Sequence, residues 1–255
     1  MEKSDTTIKK EGNSLIEALF SVGAHFGFVK SRRHPSVKPF IFGSKNSFEI
    51  FNLEKTSLEL EKAVVFAEEK GREGVLGLWV GGKSEAREAV KRAGTELEMP
   101  YVAGRWIGGT LTNFTEIKKR IARLEELLDQ REKGEFSKYT KKEHLLLDRE
   151  IDKLTIYFGG LYYLKSLPKF LVVIDPKKEH IAVAEARKIG IPVVALAGSD
   201  SNLYEIDYAI PGNDASKQNI AFTLEKLVAA YKKGLAEKRE KDMATKEVPA
   251  KTELK

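Results

Sequence analysis

Short runs of uninterrupted apolar residues alternate with amphipathic helix patterns along most of this chain, and this alternation restricts the possible folds more than any other feature. The clearest run is Phe170–Ile174, which reads FLVVI. The other runs of this kind are Val75–Val80, Tyr101–Val102, Pro192–Ala197 and Ala209–Ile210. Strands that are apolar at every position are buried on both faces, and strands separated by helices pair in parallel. The alternation therefore predicts an α/β fold with a parallel sheet covered by helices on both faces.

The helices around these strands are predicted from capping residues and apolar spacing. They span Ser14 to about Val22, Asn52 to about Lys70, Ser84–Leu97, Glu179–Ile189 and Ala215–Tyr231. Between the first two helices, the segment PFIFGSKNSFEIF at residues 39–51 predicts two short aromatic strands around a polar turn.

The segment between Tyr101 and Phe170 is too long for a single crossover connection and has a different pattern. Apolar residues there recur at steps of three and four, with charged residues between them. The first series is Ile117, Ile121, Leu124 and Leu128, and the second is Leu147, Ile151, Leu154, Phe158 and Leu161. We predict an inserted antiparallel coiled-coil helical hairpin, with a turn at residues 134–140 and arms about 30 Å long. The alternative is a pair of ordinary amphipathic helices that lie on the sheet.

These patterns divide the chain into an α/β domain, an insertion and two tails. The α/β domain is discontinuous and comprises residues 14–112 and 168–231, and the hairpin comprises residues 113–167. Residues 1–13 and 232–255 are predicted to be flexible tails, because they are highly charged and have few apolar residues. The C-terminal tail holds eight bases and five acids, so it either solubilises the protein or becomes ordered on RNA.

The composition excludes several classes of protein. The 255 residues include no cysteine, which excludes disulfides and thiolate metal sites and favours a reducing, cytoplasmic location. The N-terminus has no apolar signal-peptide run, and no stretch approaches the roughly 18–20 apolar residues of a membrane span. The four histidines are scattered, without the spacing of a metal-binding pair. We therefore predict no metal, no cofactor, no membrane contact and no small-molecule substrate.

The segment at residues 27–48 is the most basic part of the predicted domain. The net charge of +6 is only a mild sign of a polyanionic partner, but this segment has five bases and no acid, with four phenylalanines between them. The five bases are Lys30, Arg32, Arg33, Lys38 and Lys45. Such a segment is either a solvated loop or a surface where bases neutralise the phosphates of a nucleic acid.

The residues Gly77–Ser84 match the phosphate-binding pattern G-x-x-x-x-G-K-[ST]. A nucleotide hydrolase is therefore a second hypothesis, and Asp175 after the apolar strand is its candidate magnesium ligand. However, Leu78, Trp79 and Val80, which follow the first motif glycine, have a strand pattern, and only Gly81 and Gly82 remain as a turn. That turn is too short to wrap a phosphate. A weaker possibility is that Lys83, at the start of a helix, contacts an RNA phosphate.

Four stretches of this sequence resemble the bacterial form of the universal ribosomal small-subunit protein two family. They are GAHFG at 23–27, PYVAGRWIGGTLTNF at 100–114, VVIDPKKEHIAVAEARKIGIPVVAL at 172–196 and DYAIPGND at 207–214. The resemblance extends from about Leu15 to Tyr231. It implies a flavodoxin-like sheet with a coiled-coil hairpin, no enzymatic activity, and binding to small-subunit ribosomal RNA in translation and subunit assembly. It also implies contacts with neighbouring small-subunit ribosomal proteins and, in many bacteria, with the large mRNA-capturing first protein of that subunit.

The motifs of this family add candidate residues to the basic segment. The structural candidates are Gly23, His25, Gly27, Trp106, Gly108, Gly109 and Asn113. We expect Gly108 and Gly109 to allow a tight chain reversal, and Asn113 or Thr112 to cap the first hairpin arm.

Three further bases near the predicted hairpin are RNA-binding candidates. Arg105 either binds RNA or pairs with an acid while its neighbour Trp106 packs where the hairpin leaves the sheet. Lys118 and Lys119, on the first turns of the hairpin, contact RNA or face solvent.

Overall fold

The computed structural model describes residues 14–247, in which two layers of helices enclose a five-stranded sheet and a three-stranded sheet lies beside it. The helices are α1 (14–21), α2 (Leu53–Glu73), α3 (Ser84–Leu97), α4 (Phe114–Glu132), α5 (Lys141–Phe158), α6 (His180–Lys188) and α7 (Lys217–Glu247). The predicted N-terminal tail, residues 1–13, lies outside the described residues, as do residues 248–255.

The larger sheet contains five strands that all pair in parallel. They are β4 (Gly77–Val80), β5 (Tyr101–Val102), β6 (Phe170–Ile174), β7 (Val193–Ala197) and β8 (Tyr208–Pro211). The order across the sheet is β5-β4-β6-β7-β8, so the strands counted along the chain run 2-1-3-4-5, as in flavodoxin-like sheets. The predicted α/β class and parallel sheet are therefore confirmed.

Alternate side chains of the strands point into two separate hydrophobic cores. On one face, Trp79, Phe170 and Leu196 pack with apolar residues of α2, α3 and α7. On the other face, Leu78 and Val173 pack with α6 and with the segments that follow β5 and β7. Burial on both faces explains why these strands are apolar at every position.

The smaller sheet is antiparallel, with the order β1-β3-β2. Its strands are β1 (Phe26–Val29), β2 (Ile41–Lys45) and β3 (Phe48–Phe51). The two aromatic strands were predicted, and Asn46 and Ser47 form the turn between them with positive φ angles of 51° and 68°. Strand β1 was not predicted, because three of its four residues lie within the basic segment, for which a solvated loop was one of our two interpretations.

Helices α4 and α5 pack chiefly against each other and against the turn at Gly159–Leu161. A 3-10 turn at Glu135–Lys138 joins them. The apolar residues buried between them are Ile117, Ile121, Leu124, Leu127, Ile151, Leu154 and Phe158. Leu127 is fully buried and Leu128 only partly so, which moves the last position of the predicted first series from Leu128 to Leu127.

The C-terminal helix α7 continues to Glu247, whereas we predicted that the closing helix ends at Tyr231 and that a flexible tail begins at residue 232. The reason is close packing of α7 along α2. Gly234 and Gly71 let the two backbones approach, since a Cβ at Gly234 would overlap the Glu68 carbonyl oxygen. Arg72 of α2 also pairs with Glu237 at 2.6 Å. None of the described helices is long and apolar enough to cross a membrane.

Candidate RNA interface

The loops after the five parallel strands lie together at the carboxyl edge of the sheet, where ligands of open α/β folds usually bind. Lys83 occupies the N-cap position of α3, directly after the turn that follows β4. Its Nζ lies 2.7 Å from Asp175 Oδ2, after β6, and 2.7 Å from Asp214 Oδ2, after β8. The side chain of Lys83 is only 16% exposed, so the three charges form a closed cluster.

Burial and mutual repulsion determine the protonation of this cluster. Burial raises the pKa of Asp214 to about 6, and the neighbouring carboxylates Asp175 and Asp200 add to this effect, whereas Lys83 opposes it. Burial lowers the pKa of Lys83, but the two carboxylates raise it by more, so the pKa lies above its ordinary value. Lys83 therefore stays charged and holds two loops together.

The P-loop-like pattern does not form a phosphate-binding loop. Residues 77–80 of the pattern are strand β4, and Gly77 allows sheet packing, because a Cβ there would overlap the Phe170 ring. The Gly82 amide donates to Glu179 Oε1 at 3.2 Å. Lys83 is held by two carboxylates and the Gly82 amide by Glu179, so both groups are engaged within the protein. The weaker possibility of a phosphate contact by Lys83 is disfavoured for the same reason.

The basic segment is anchored to the same edge of the sheet. The Phe28 amide donates to Ser199 Oγ at 2.9 Å, and the His34 amide donates to the Ser199 carbonyl oxygen at 2.9 Å. Gly27 allows a close approach here, since a Cβ would lie only 3.2 Å from Ser199 Oγ and from the Glu49 carbonyl oxygen. The basic segment, for which a solvated loop was one of two interpretations, is therefore anchored to the fold by these hydrogen bonds.

Both arginines of the basic segment pair with acids inside the fold. Arg33 lies 2.9 Å from Glu49, whose side chain is 1% exposed. Arg32 lies 2.9 Å from Asp200 Oδ2, which also accepts from Lys177 at 2.9 Å. Arg32 remains about half exposed and lies over the Phe28 ring. Arg33 is thus engaged internally, whereas Arg32 still presents part of its guanidinium to solvent.

Five of the predicted RNA-binding bases are exposed and form no ion pair with any described residue. They are Lys30, Lys38, Lys45, Arg105 and Lys118. Lys119 is exposed too, but it pairs with Glu116 at 2.6 Å on the same helix. The suggestion that Arg105 pairs with an acid is therefore not supported within the described part of the chain.

The loop between β5 and α4 is organised around the carboxylate of Glu185 on α6. This carboxylate accepts from Trp106 Nε1 at 3.1 Å, and from the amides of Gly109, Leu111 and Thr112 at 2.7, 3.0 and 3.1 Å. Burial raises the pKa of Glu185, but these donors lower it by more, so the pKa is below its ordinary value. Sequence reasoning missed Glu185, because it lies about 75 residues along the chain from the loop that it holds.

The four motif residues of this loop differ in how their environments compare with the expected roles. Trp106 is buried next to the start of α4, as expected, and Gly109 has a φ of +91° that allows the reversal. A Cβ at Gly108 would meet no atom within 4 Å, so the surroundings of this position do not require a glycine. Asn113 occupies the N-cap position of α4, but its side chain makes no capping hydrogen bond. The hydroxyl of Thr112 donates to Glu185 instead.

The residues of the GAHFG motif connect α1 to the small sheet. Gly23 has a φ of +74° at the end of α1. The His25 ring stacks on Phe20 at 4.5 Å between ring centroids and lies 4.0 Å from the Phe26 ring. Burial lowers the pKa of His25 and so favours the neutral form of its ring. No group of three potential metal ligands occurs among residues 14–247.

Comparison with known proteins agrees with the resemblance that the motifs indicated. A model of the family described as Ribosomal protein S2 matches residues 19–234. A small ribosomal subunit protein uS2 from Roseiflexus sp. strain RS-1 is 42% identical over 219 residues, which cover 86% of this chain and 84% of that one. The protein of the same name from Dictyoglomus thermophilum is 38% identical over 242 residues, 94% of this chain and 98% of that one. The chain therefore belongs to the ribosomal protein S2 family.

Proposed function

We propose that this protein is a structural constituent of the small ribosomal subunit and binds small-subunit ribosomal RNA, with no enzymatic activity. Its relatives carry the name of a small ribosomal subunit protein, which supports the placement and argues against a nucleotide hydrolase. The observation that carries RNA binding is the set of exposed, unpaired bases on a segment that is fixed to the sheet edge. Such bases neutralise phosphates without first breaking an internal ion pair.

The bases divide into those that contact RNA and those that hold the protein together. Lys30, Lys38 and Lys45 are the principal phosphate contacts, and Arg32 contributes its exposed face. Arg105 and Lys118, near the base of α4, form a second group. Arg33 and Lys83 position the basic segment and the sheet-edge loops from inside the fold.

We also propose that α4 and α5 form an antiparallel coiled-coil hairpin that docks on neighbouring small-subunit ribosomal proteins. Helix α5 supports this role, because Leu145, Leu146 and Ile156 are 50%, 53% and 74% exposed. The charges of residues 116–153 nearly cancel, at eleven bases and ten acids, which suits a protein partner better than RNA. The large mRNA-capturing first protein of the subunit is one candidate for this partner. On this proposal, the protein resides on ribosomes in the cytoplasm.

The placement is tested by sedimentation of the tagged protein from its native cells on a sucrose gradient at near-physiological salt. We expect it to migrate with small subunits and whole ribosomes. When ribosomes dissociate at low magnesium, it should remain in the small-subunit fraction. A protein that remains at the top of the gradient as free chain contradicts the proposal.

A further inference from the structure

We infer that the outer face of the three-stranded sheet binds unpaired RNA nucleotides by stacking their bases on Phe26 and Phe48. This inference rests on the proposed function and specifies the form of RNA that this surface recognises. It starts from two aromatic side chains that remain 54% and 52% exposed, although each belongs to a strand of the small sheet.

The strand register places these two rings on one surface. Phe26 pairs with Ile50 across the sheet, and Val29 pairs with Phe48, so Phe26 and Phe48 lie on the same face in adjacent rows. Glu49 and Phe51 alternate with them on β3 and are buried on the opposite face. Phe26 and Phe48 also line one groove together. The exposed face is therefore aromatic and carries no acid from β3.

Two lysines flank the end of this aromatic face. Lys45 pairs with Phe48 in the sheet register, and the Lys30 amide donates to the Ser47 carbonyl oxygen at 3.0 Å, beside the same turn. Both lysines are exposed and form no ion pair with a described residue. The complementary partner has negative charge at one end and flat apolar rings at the other, which is the composition of a nucleotide.

The pairing state of the RNA follows from this geometry. The bases of an A-form helix are stacked on each other, and their faces are not accessible to a protein side chain. Unpaired nucleotides in loops, bulges or single strands expose the base face, and proteins bind them by stacking on aromatic residues and by neutralising the adjacent phosphates. The aromatic face therefore selects unpaired nucleotides rather than duplex RNA.

The face also has free space for a ligand at Gly43. This glycine pairs with Ile50 on the same face, and a Cβ at Gly43 would meet no atom within 4 Å. Its φ is not positive, so other residues fit there without strain. Gly43→Glu therefore places a negative charge beside the stacking surface, and Gly43→Gln is the matched neutral control.

The test is fluorescence anisotropy of the full chain with a labelled, unstructured 12-nucleotide RNA and with the same RNA annealed to its complement. We expect tighter binding to the single strand. Phe48→Leu and Phe26→Leu each weaken that binding about tenfold, because stacking on one base is lost. Phe48→Tyr, which retains a ring, stays within about threefold of the wild type. Gly43→Glu weakens binding more than Gly43→Gln does. Unchanged circular dichroism and melting temperature show that the variants are folded.

The inference is overturned if the leucine variants bind the single strand as the wild type does, or if duplex RNA binds equally well. If Lys30→Glu and Lys45→Glu still weaken binding of both RNAs in that case, RNA binding as proposed above survives and only the stacking fails. If the leucine variants bind RNA normally but enter small subunits poorly, a protein covers this face and the inference is wrong. Ultraviolet crosslinking of single-stranded RNA to peptides that contain Phe26 or Phe48 supports it directly.

Discussion

Cations at the carboxyl edge of the five-stranded sheet and cations on the three-stranded sheet have opposite environments. At the edge, Lys83 contacts two buried carboxylates, and Lys177 contacts Asp200. At the rim of the small sheet, Lys45 at the end of β2 and Lys30 directly after β1 are exposed and have no acidic partner among the described residues. The difference teaches that a basic residue near a candidate site is available to a polyanion only when the fold has not already neutralised it.

The paired region is expected to depend on its charges for stability, whereas the unpaired region depends on them for binding. Removing one partner of a buried pair leaves an uncompensated charge, at a cost of about 3–5 kcal/mol. Removing an exposed lysine changes stability little but eliminates a phosphate contact. The following predictions test this division.

The largest effect is expected for Lys83→Met. It leaves Asp175 and Asp214 buried without their shared cation, so the free energy of unfolding should fall by about 4 kcal/mol. Urea denaturation at neutral pH measures this loss. The second substitution Asp214→Asn should recover part of it, because one of the two unpaired charges is removed. Lys91→Met, at an exposed position of α3, is the control; an equal loss there would show that Lys83 is an ordinary surface lysine.

The pH dependence of the unfolding free energy gives a second test of the paired region, through Asp214. The ordinary pKa of an aspartate is 3.8, whereas the pKa of Asp214 in the folded chain is about 6, so the folded state binds the proton more tightly than the unfolded state. The resulting stability is fully present below pH 3.8 and is lost as pH rises through 6. Relative to Asp214→Asn, the wild type should lose about 3 kcal/mol of unfolding free energy between about pH 3.5 and 7.5. Parallel pH profiles for the two proteins would rule out this assignment.

Glu185 tests whether an acid at this edge needs a cation or only hydrogen-bond donors. In Glu185→Gln, one of the two carboxylate oxygens becomes an amide group that cannot accept from the loop, so about 2 kcal/mol of unfolding free energy should be lost at about pH 7. Since the folded pKa of Glu185 is lowered, its contribution is present above the unfolded pKa and is lost as pH falls through the folded value. The difference between wild type and variant should therefore shrink below about pH 4. Glu88→Gln, at an exposed position of α3, is the control. A difference in unfolding free energy between wild type and Glu185→Gln that stays constant across this pH range would contradict the role of Glu185.

The smallest effect is expected for Lys119→Ala. Its ion pair with Glu116 is exposed on both sides, and such pairs contribute about 0–1 kcal/mol. The free energy of unfolding should change by less than about 0.5 kcal/mol in urea denaturation. A loss comparable to that of Lys83→Met would break the distinction between buried and exposed pairs.

Local patterns were sufficient to predict the parallel sheet and most helices. The limits of Phe170–Ile174 and Ser84–Leu97 agree with the sequence prediction, because burial on both faces and helix capping leave a continuous local signature. Asn52, predicted as a cap, accepts from the amides of Glu54 and Lys55. Nonlocal packing was not predictable in this way. The extension of α7 depends on the close approach of Gly234 to α2, and a charged amphipathic segment has the same composition as a tail.

The sequence indicated nine candidate bases, but it did not indicate which of them the fold neutralises. Arg33 pairs with Glu49 and Lys83 pairs with Asp214, and these acids lie 16 and 131 residues away along the chain. No short-range pattern relates these partners. For the same reason, the role of Glu185 in holding the 104–112 loop could not be found from the sequence.

The most direct test of the division between paired and unpaired cations is the salt dependence of binding to a small-subunit ribosomal RNA transcript. The slope of log affinity against log salt counts the phosphates that a protein neutralises, at about 0.7–0.9 per contact. We predict that Lys30→Ala combined with Lys45→Ala reduces the slope by about 1.5, whereas Lys177→Ala, which removes a lysine that is also exposed but paired with Asp200, leaves it unchanged. Equal slopes for the double variant and the wild type, or a reduced slope for Lys177→Ala, would contradict the account.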